Sequence, residues 1–298
     1  QRSACLILGL NRSTIQRYIK GVLEGEVNDG GVLGVQNQND HTDWQSKHKP
    51  ELDVKSVQSK QTILVIADTQ AKSEESLEYL LWIGHYIAEK QPDIIVHIGD
   101  HYDFPSLSSY DKGKSSAEGK RLVKDIEAGN IGFEYLNMAI QKHKKYNPRK
   151  IFCLGNHEHR LDRYIDDNPE LIGTLGTDFL PFDKYGWEVH PFLKPVEVNG
   201  IFFVHYLANP MNGKPYNGSA MNILKTVGRS FVVGHKQCLD IAIRPTIDGK
   251  QQIGIVNGAC YDFDEGYKGY SGNNHFRGLT VLHEVHEGFG CPSFVSLD

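Results

Sequence analysis

The chain has 298 residues, 39% of them hydrophobic and 10% aromatic, with a net charge of −5, enough apolar material for a sizeable globular core. No apolar run approaches the ~18 residues that cross a bilayer, so no membrane partner is expected. Five scattered cysteines (Cys5, Cys153, Cys238, Cys260, Cys291) form no C-x-x-C, which argues against a disulfide framework or a thiolate zinc site and for reduced thiols in a cytoplasm.

Residues 1–20 carry four basic side chains (Arg2, Arg12, Arg17, Lys20) and no acidic ones, so the remainder carries −9. The short run Ala4 to Leu10 lacks a small-residue cleavage site and reads as a helix rather than a secretory segment. The chain begins at Gln1 rather than Met, as a fragment or processed product does. Gly9 and Asn11 supply a turn between two short helices. This resembles a helix-turn-helix, with Ser13 to Lys20 as the recognition helix and Arg12, Thr14, Gln16 and Arg17 facing phosphates and base edges. An ordinary helical hairpin fits the same residues. From Gly21 to about Gln61 the chain is polar and aperiodic, a linker or arm.

The main body is expected over 62–298. Thr62 to Ile66 reads as a buried strand that leads to Asp68-Thr69-Gln70. Glu74 to Lys90 has helical apolar spacing, and Ile94 to Ile98 is a second buried strand running into Gly99-Asp100-His101-Tyr102-Asp103. This is a β-α-β unit with two aspartates at one sheet edge. A helical stretch from Ala117 to Tyr146 precedes a third strand, Lys150 to Leu154, which ends in Gly155-Asn156-His157-Glu158. Ile201 to Val204 ends in His205. After a helix near Ala220 to Val227, Phe231 to Gly234 ends in His235-Lys236-Gln237. Short strands then continue to the C-terminus, where a second sheet is expected.

Five successive strands thus end in Asp68, Asp100, Asn156, His205 and His235. Carboxylate, amide oxygen and imidazole together suit divalent ions such as Mn²⁺, Fe²⁺ or Zn²⁺. A pair of ions bridged by one carboxylate would activate a hydroxide and clamp a phosphate.

The order and spacing of these elements resemble the calcineurin-like metallophosphoesterases over about Thr62 to Leu297, with Gly155-Asn156-His157-Glu158 the most specific piece. The resemblance implies an α/β fold, a four-layer α-β-β-α sandwich with a dinuclear centre between its sheets, preceded here by a small helical segment. It implies that Asp100 bridges two divalent metal ions, Mn²⁺ foremost with Fe, Zn or Mg as alternatives. Asn156, His205 and His235 would complete one site and Asp68 would belong to the other. His157 would protonate the leaving oxygen or stabilise the phosphate, oriented by Asp103. Gln70 and Gln237 stand where the family commonly has histidines, so they would be weaker ligands beside Asp68. That leaves an exchangeable second metal, a harder ion such as Mn²⁺ or Mg²⁺, or partial loss of activity.

Phosphoprotein phosphatases of the superfamily follow the second aspartate of this motif with Arg-Gly, where this chain has Phe104-Pro105. Diesterases and nucleases are therefore the leading expectation: a metal-dependent phosphodiesterase, a DNA nuclease, localised by its basic head and resembling phage or mobile-element proteins. The alternatives are a phosphatase or diesterase for a small nucleotide, or a DNA-binding protein with a degenerate site. His97 is expected to be buried, and the stretch His283 to Glu287 has strand character rather than zincin spacing. His101 and His159 flank the motifs as candidate substrate contacts. The aromatic loop Tyr261 to Phe276 either covers the site, stacks bases or is structural.

Overall fold

The structure, a computed structural model, describes residues 60–297; the helix-turn-helix expectation at 1–20 and nearly all of the 21–61 arm lie outside the described residues. In chain order the first half contains β1 (Gln61–Ile66), α1 (Glu78–Lys90), β2 (Ile94–His97), α2 (Leu122–Lys142), β3 (Arg149–Cys153) and α3 (Glu158–Asp167). Then come β4 (Glu188–His190), β5 (Val196–Val198), β6 (Ile201–Val204), α4 (Ala220–Val227) and β7 (Ser230–Val233). The last elements are β8 (Asp240–Pro245), β9 (Gln251–Val256), the one-turn α5 (Gly269–Gly272), β10 (Gly278–His286) and β11 (Phe289–Ser296).

These strands form two sheets, one in the order β11-β10-β1-β2-β3-β4 and the other β5-β6-β7-β9-β8. The β1 to β4 run is parallel, as are β6, β7 and β9. Period-two alternation divides each buried strand between two cores. On β1, Ile63 and Val65 join Val96, Ile151, Phe203, Val232 and Ile255 in the layer between the sheets. Leu64 and Ile66 point the other way, into a cluster with Leu80, Ile83, Phe133 and Leu136 of α1 and α2. Phe231 and Val233 meet Ile223 and Leu224 of α4 on the outer face of the second sheet. The result is the α-β-β-α layering, with each fully buried Ile, Val or Phe side chain contributing about 1.5–3 kcal/mol.

Two helix boundaries and one sheet assignment depart from expectation. α1 begins at Glu78 rather than Glu74, because the Ser76 hydroxyl accepts the Glu78 N–H and residues 72–75 close a turn. α2 spans 122–142 rather than 117–146; beyond it, Tyr146 turns back to donate to the Pro92 carbonyl at 2.7 Å. The C-terminal strands do not all build the second sheet: β8 and β9 do, but β10 pairs antiparallel with β1 and brings β11 to the first. β10 is apolar on both faces, with Leu279 and Val281 toward the helices and Leu282 and Val285 toward the second sheet, and only a place between layers buries both.

Candidate metal and catalytic centre

Parallel strands direct their carboxyl ends to one edge, and β1, β2, β3, β6 and β7 each run out there into a polar loop. The loops are tied together: Asp68 N–H donates to the Gly99 carbonyl at 3.1 Å and His235 N–H to Oδ2 of Asp68 at 3.0 Å. Asp68, Gln70, Asp100, His235 and Gln237 all have left-handed φ, between 44° and 66°. Such conformations cost non-glycine residues about 1–3 kcal/mol each and persist only where the surroundings enforce them. Gly99, at φ +92°, turns the chain beneath Asp100; a Cβ there would strike the backbone of Gly155.

Asp100, His205 and His235 bring one donor atom each to within 4.8 Å of one another. Oδ1 of Asn156 joins them, 2.8 Å from Nε2 of His205 and 2.8 Å from Nδ1 of His235. The His205 Nδ1–H donates to the Ile98 carbonyl at 2.8 Å, so Nε2 can present its lone pair to the cluster. One carboxylate, one amide oxygen and two imidazoles fit a divalent cation. Without a metal, the charges of the cluster hold a proton on His205 that an ion would have to displace. Burial would lift the Asp100 pKa, but His157 and His205 outweigh it and hold the carboxyl well below its usual range. Burial would lower His205, yet Asp100 drives it to about 9. Burial and His205 together depress His235 to about 4, leaving its imidazole neutral at pH 7.

The residues expected at a second ion are less well suited. Asp68 is fully buried and burial raises its pKa to about 7, with Oδ1 lacking a hydrogen-bond partner among the described residues. Both side-chain amide atoms of Gln70 are buried and without a partner among the described residues. Gln237 departs furthest from a ligand's role: its Oε1 accepts from the Lys268 ammonium and, at 3.0 Å, from the Tyr261 hydroxyl. One carboxylate, one free amide and one occupied amide are a poor donor set for a second transition metal.

Beside the donor cluster, Nδ1–H of His157 donates to Oδ1 of Asp103 at 2.7 Å, and its backbone N–H to Oδ1 of Asp100 at 2.9 Å. Burial would lower the His157 pKa, but Asp100 and Asp103 outweigh it and raise it. Two further side chains complete this corner, neither assigned a role from the sequence. Arg160 donates through Nη1 to the Asp103 carbonyl at 2.8 Å and places Nη2 3.0 Å from Nε2 of His157. Its signal was the helical offset: α3 opens at Glu158, and Arg160 lies one turn on from His157. Glu158, fully buried, accepts the N–H groups of Asp100 (2.9 Å), His101 (2.7 Å), Tyr102 (2.9 Å) and Gly155 (2.7 Å), fixing both loops.

The flanking histidines separate. His101 is not a substrate contact: it is fully buried, with Nδ1 at Thr69 and Nε2 at the Gly129 carbonyl. His97 is fully buried and stacks on Phe152. His159 is partly open and stacks on Phe192 at 4.7 Å between ring centres, beside a cavity of about 520 Å³. Phe192 meets Tyr206, whose ring lies 4.8 Å from that of His235, so an aromatic edge leads from the cavity to the donor cluster. His283 to His286 lie on β10. Arg12, Thr14, Gln16 and Arg17 lie outside the described residues. No helix among the described residues is long and apolar enough to cross a membrane.

A family model described as calcineurin-like phosphoesterase matches residues 61–275. The Gene 54 protein of Mycobacterium phage D29 is 28% identical over 178 residues, covering 58% of this chain and 68% of that protein. Among solved structures, an archaeal phosphodiesterase aligns over 78% of this chain and 99% of its own, at 12% identity and a TM-score of 0.37. The Pseudomonas putida nuclease MPE aligns over 74% and 84%, at 12% identity and a TM-score of 0.33.

Proposed function

The chain belongs to the calcineurin-like phosphoesterase family, hydrolases acting on phosphoester bonds, and on that premise we propose that it is a metal-dependent phosphodiesterase cleaving nucleic acid, with DNA as its substrate. The observation that carries this reading is the His157–Asp103 pair, 2.7 Å apart, set against the donor cluster of Asp100, Asn156, His205 and His235. A divalent ion held by that cluster, with Mn²⁺ the favoured candidate, supplies Lewis-acid polarisation of a phosphoryl oxygen and lowers the pKa of water.

The chain's own residues do the rest. A diester expels an alkoxide, a poor leaving group until it is protonated, and His157 is held by Asp103 to give it that proton. Arg160, with Nη2 against the same ring, can turn that end of its guanidinium to a non-bridging phosphate oxygen. It supplies from α3 the guanidinium that the Phe104-Pro105 turn lacks. The half-buried edge of Tyr206 and Phe192 gives bases a stacking surface. Arg12, Thr14, Gln16 and Arg17 would hold the enzyme on duplex DNA in the cytoplasm, and the phage relative supports a viral or mobile-element setting.

A second reading, a diesterase for a small nucleotide, draws on the cavity of about 520 Å³ beside His159 and Phe192, a volume suited to one small ligand. The test compares a chromogenic diester, the matching monoester, a dinucleotide and plasmid DNA at one Mn²⁺ concentration. Diester turnover above monoester turnover, with plasmid cleavage that Asp100→Asn abolishes, is the expected result. A dinucleotide cut rapidly with DNA left intact selects the second reading, and strong monoester preference removes both.

A further inference from the structure

The Asp68 side of the centre contains a cation belonging to the chain itself. The Lys268 ammonium donates to Oε1 of Gln237 and, at 2.7 Å, to the Tyr261 hydroxyl, which donates to the same Oε1. Gln237 lies two residues beyond His235, and the His235 N–H bonds Oδ2 of Asp68 at 3.0 Å. Lysine, glutamine and buried aspartate therefore share one patch. Oδ1 of Asp68, in that patch, and both amide atoms of Gln70, two residues further on, are buried with no hydrogen-bond partner among the described residues, polar groups in need of charge or donors. Burial lowers the Lys268 pKa, and the charges of Glu265 and Asp68 offset part of that shift, which places the Asp68 carboxyl within electrostatic reach of the ammonium.

Two properties of this patch oppose a second metal ion. Amide oxygens bind transition metals more weakly than imidazole does, and one of the two amides is already engaged. A fixed ammonium in the same low-dielectric patch also repels an incoming dication. We propose that Lys268 supplies, in place of a second metal ion, the positive charge on the Asp68 side of the centre, so that the chain binds a single divalent ion at Asp100, Asn156, His205 and His235. The inference rests on the reading of that cluster as a metal site, and the two fail in different ways.

The probe is Mn²⁺ alone, titrated into the full chain, with stoichiometry read by calorimetry and elemental analysis and ion coupling by electron paramagnetic resonance. Wild type is expected to bind one Mn²⁺ with an uncoupled signal. Lys268→Met, which keeps the apolar stem and loses the charge, is expected to take up a second. Lys268→Arg, which keeps the charge, is expected to stay at one. The combined variant Gln70→His, Gln237→His, Lys268→Met is expected to bind two with a coupled spectrum. Two coupled ions in wild type overturn the inference, as does Lys268→Met remaining at one or Lys268→Arg reaching two. If the methionine variant does not fold, the wild-type stoichiometry and the arginine variant still decide. No Mn²⁺ bound by folded wild type overturns the Asp100 cluster as a metal site and this inference with it.

Discussion

Arg160 places Nη2 3.0 Å from Nε2 of His157, while Nδ1 of the same ring is held by Asp103. That contact needs Nε2 as an acceptor, whereas Asp100 and Asp103 raise the pKa of the ring and favour a proton there; for His157 to act as an acid, the guanidinium must move off it. A phosphate oxyanion is the natural alternative partner for Arg160, and substrate would then free Nε2 for its proton. Arg160→Ala should lower kcat/KM by roughly 10–100-fold, the value of a charge-assisted hydrogen bond of ~1.5–3 kcal/mol. Arg160 also opposes protonation of His157. Its removal should therefore raise the pKa of the acid and move the alkaline limb of the pH–rate profile to higher pH. An unchanged kcat/KM with an unmoved limb would show that the guanidinium serves only the fold.

The role of His157 can be separated from metal binding, because Nδ1 is held by Asp103, Nε2 lies 3.0 Å from Arg160 and 3.6 Å from Oδ2 of Asp100, and the cluster takes its donors from other residues. His157→Ala should retain bound metal and lose about 10²–10⁴-fold in turnover on DNA or alkyl diesters. A nitrophenolate leaves without needing a proton, so the loss on a nitrophenyl diester should be much smaller. Equal losses on the two substrates would leave phosphate stabilisation as its role, and loss of metal would make it a ligand.

Much of this architecture is legible in the chain because parallel buried strands are continuous apolar runs, and each run here ends in a metal-competent side chain. What is not legible depends on partners far off in sequence. β4 and β5 are three residues each with exposed Glu188 and Glu197, too short and polar for a periodic signal. The allegiance of β10 to the first sheet is decided by β1, more than 200 residues earlier. His101 stands next to Asp100, yet its side chain turns to the Gly129 carbonyl on α2. Gln237 reads as a weak ligand until Lys268, 31 residues later, is seen at its oxygen. No spacing rule connects those two positions.

Glu158 carries a prediction about the integrity of the site. Its carboxylate accepts four backbone N–H groups from the loops that present Asp100 and Asn156. Glu158→Gln exchanges one accepting oxygen for an NH₂ group that faces N–H donors. The expected cost is about 2–4 kcal/mol, from bonds lost to an ionised acceptor and buried donors left unpaired. Urea unfolding monitored by tryptophan fluorescence measures it. A midpoint within error of wild type would mean that the loops are held by other contacts.

The last prediction concerns pH and the chain stripped of metal by a chelator. His205 has a folded pKa of about 9 against an ordinary value of 6.5, and His157 is raised as well. A base with a raised folded pKa contributes stability that is complete below its unfolded pKa and is lost as pH climbs through the folded one. Asp68, raised from 3.8 to about 7, penalises folding increasingly across that interval and adds little change above it. The depressed imidazoles of His97, His101 and His235 weaken the fold only on the acid side of 6.5. Asp100 and Asp103, both lowered, have delivered their full contribution well below neutrality. Between pH ~6.5 and ~8.5 the raised histidines therefore dominate, and metal-free stability should fall by roughly 1–3 kcal/mol. Divalent metal competes with the proton on His205, so adding Mn²⁺ should raise the melting temperature more at pH 8.5 than at 6.5. Asp100→Asn removes the carboxylate that holds the His205 imidazolium and should flatten the metal-free slope. Thermal melts of both proteins across this range, in chelator and in Mn²⁺, test the account; a metal-free wild type with a flat profile would show that His205 is not held as the imidazolium by Asp100.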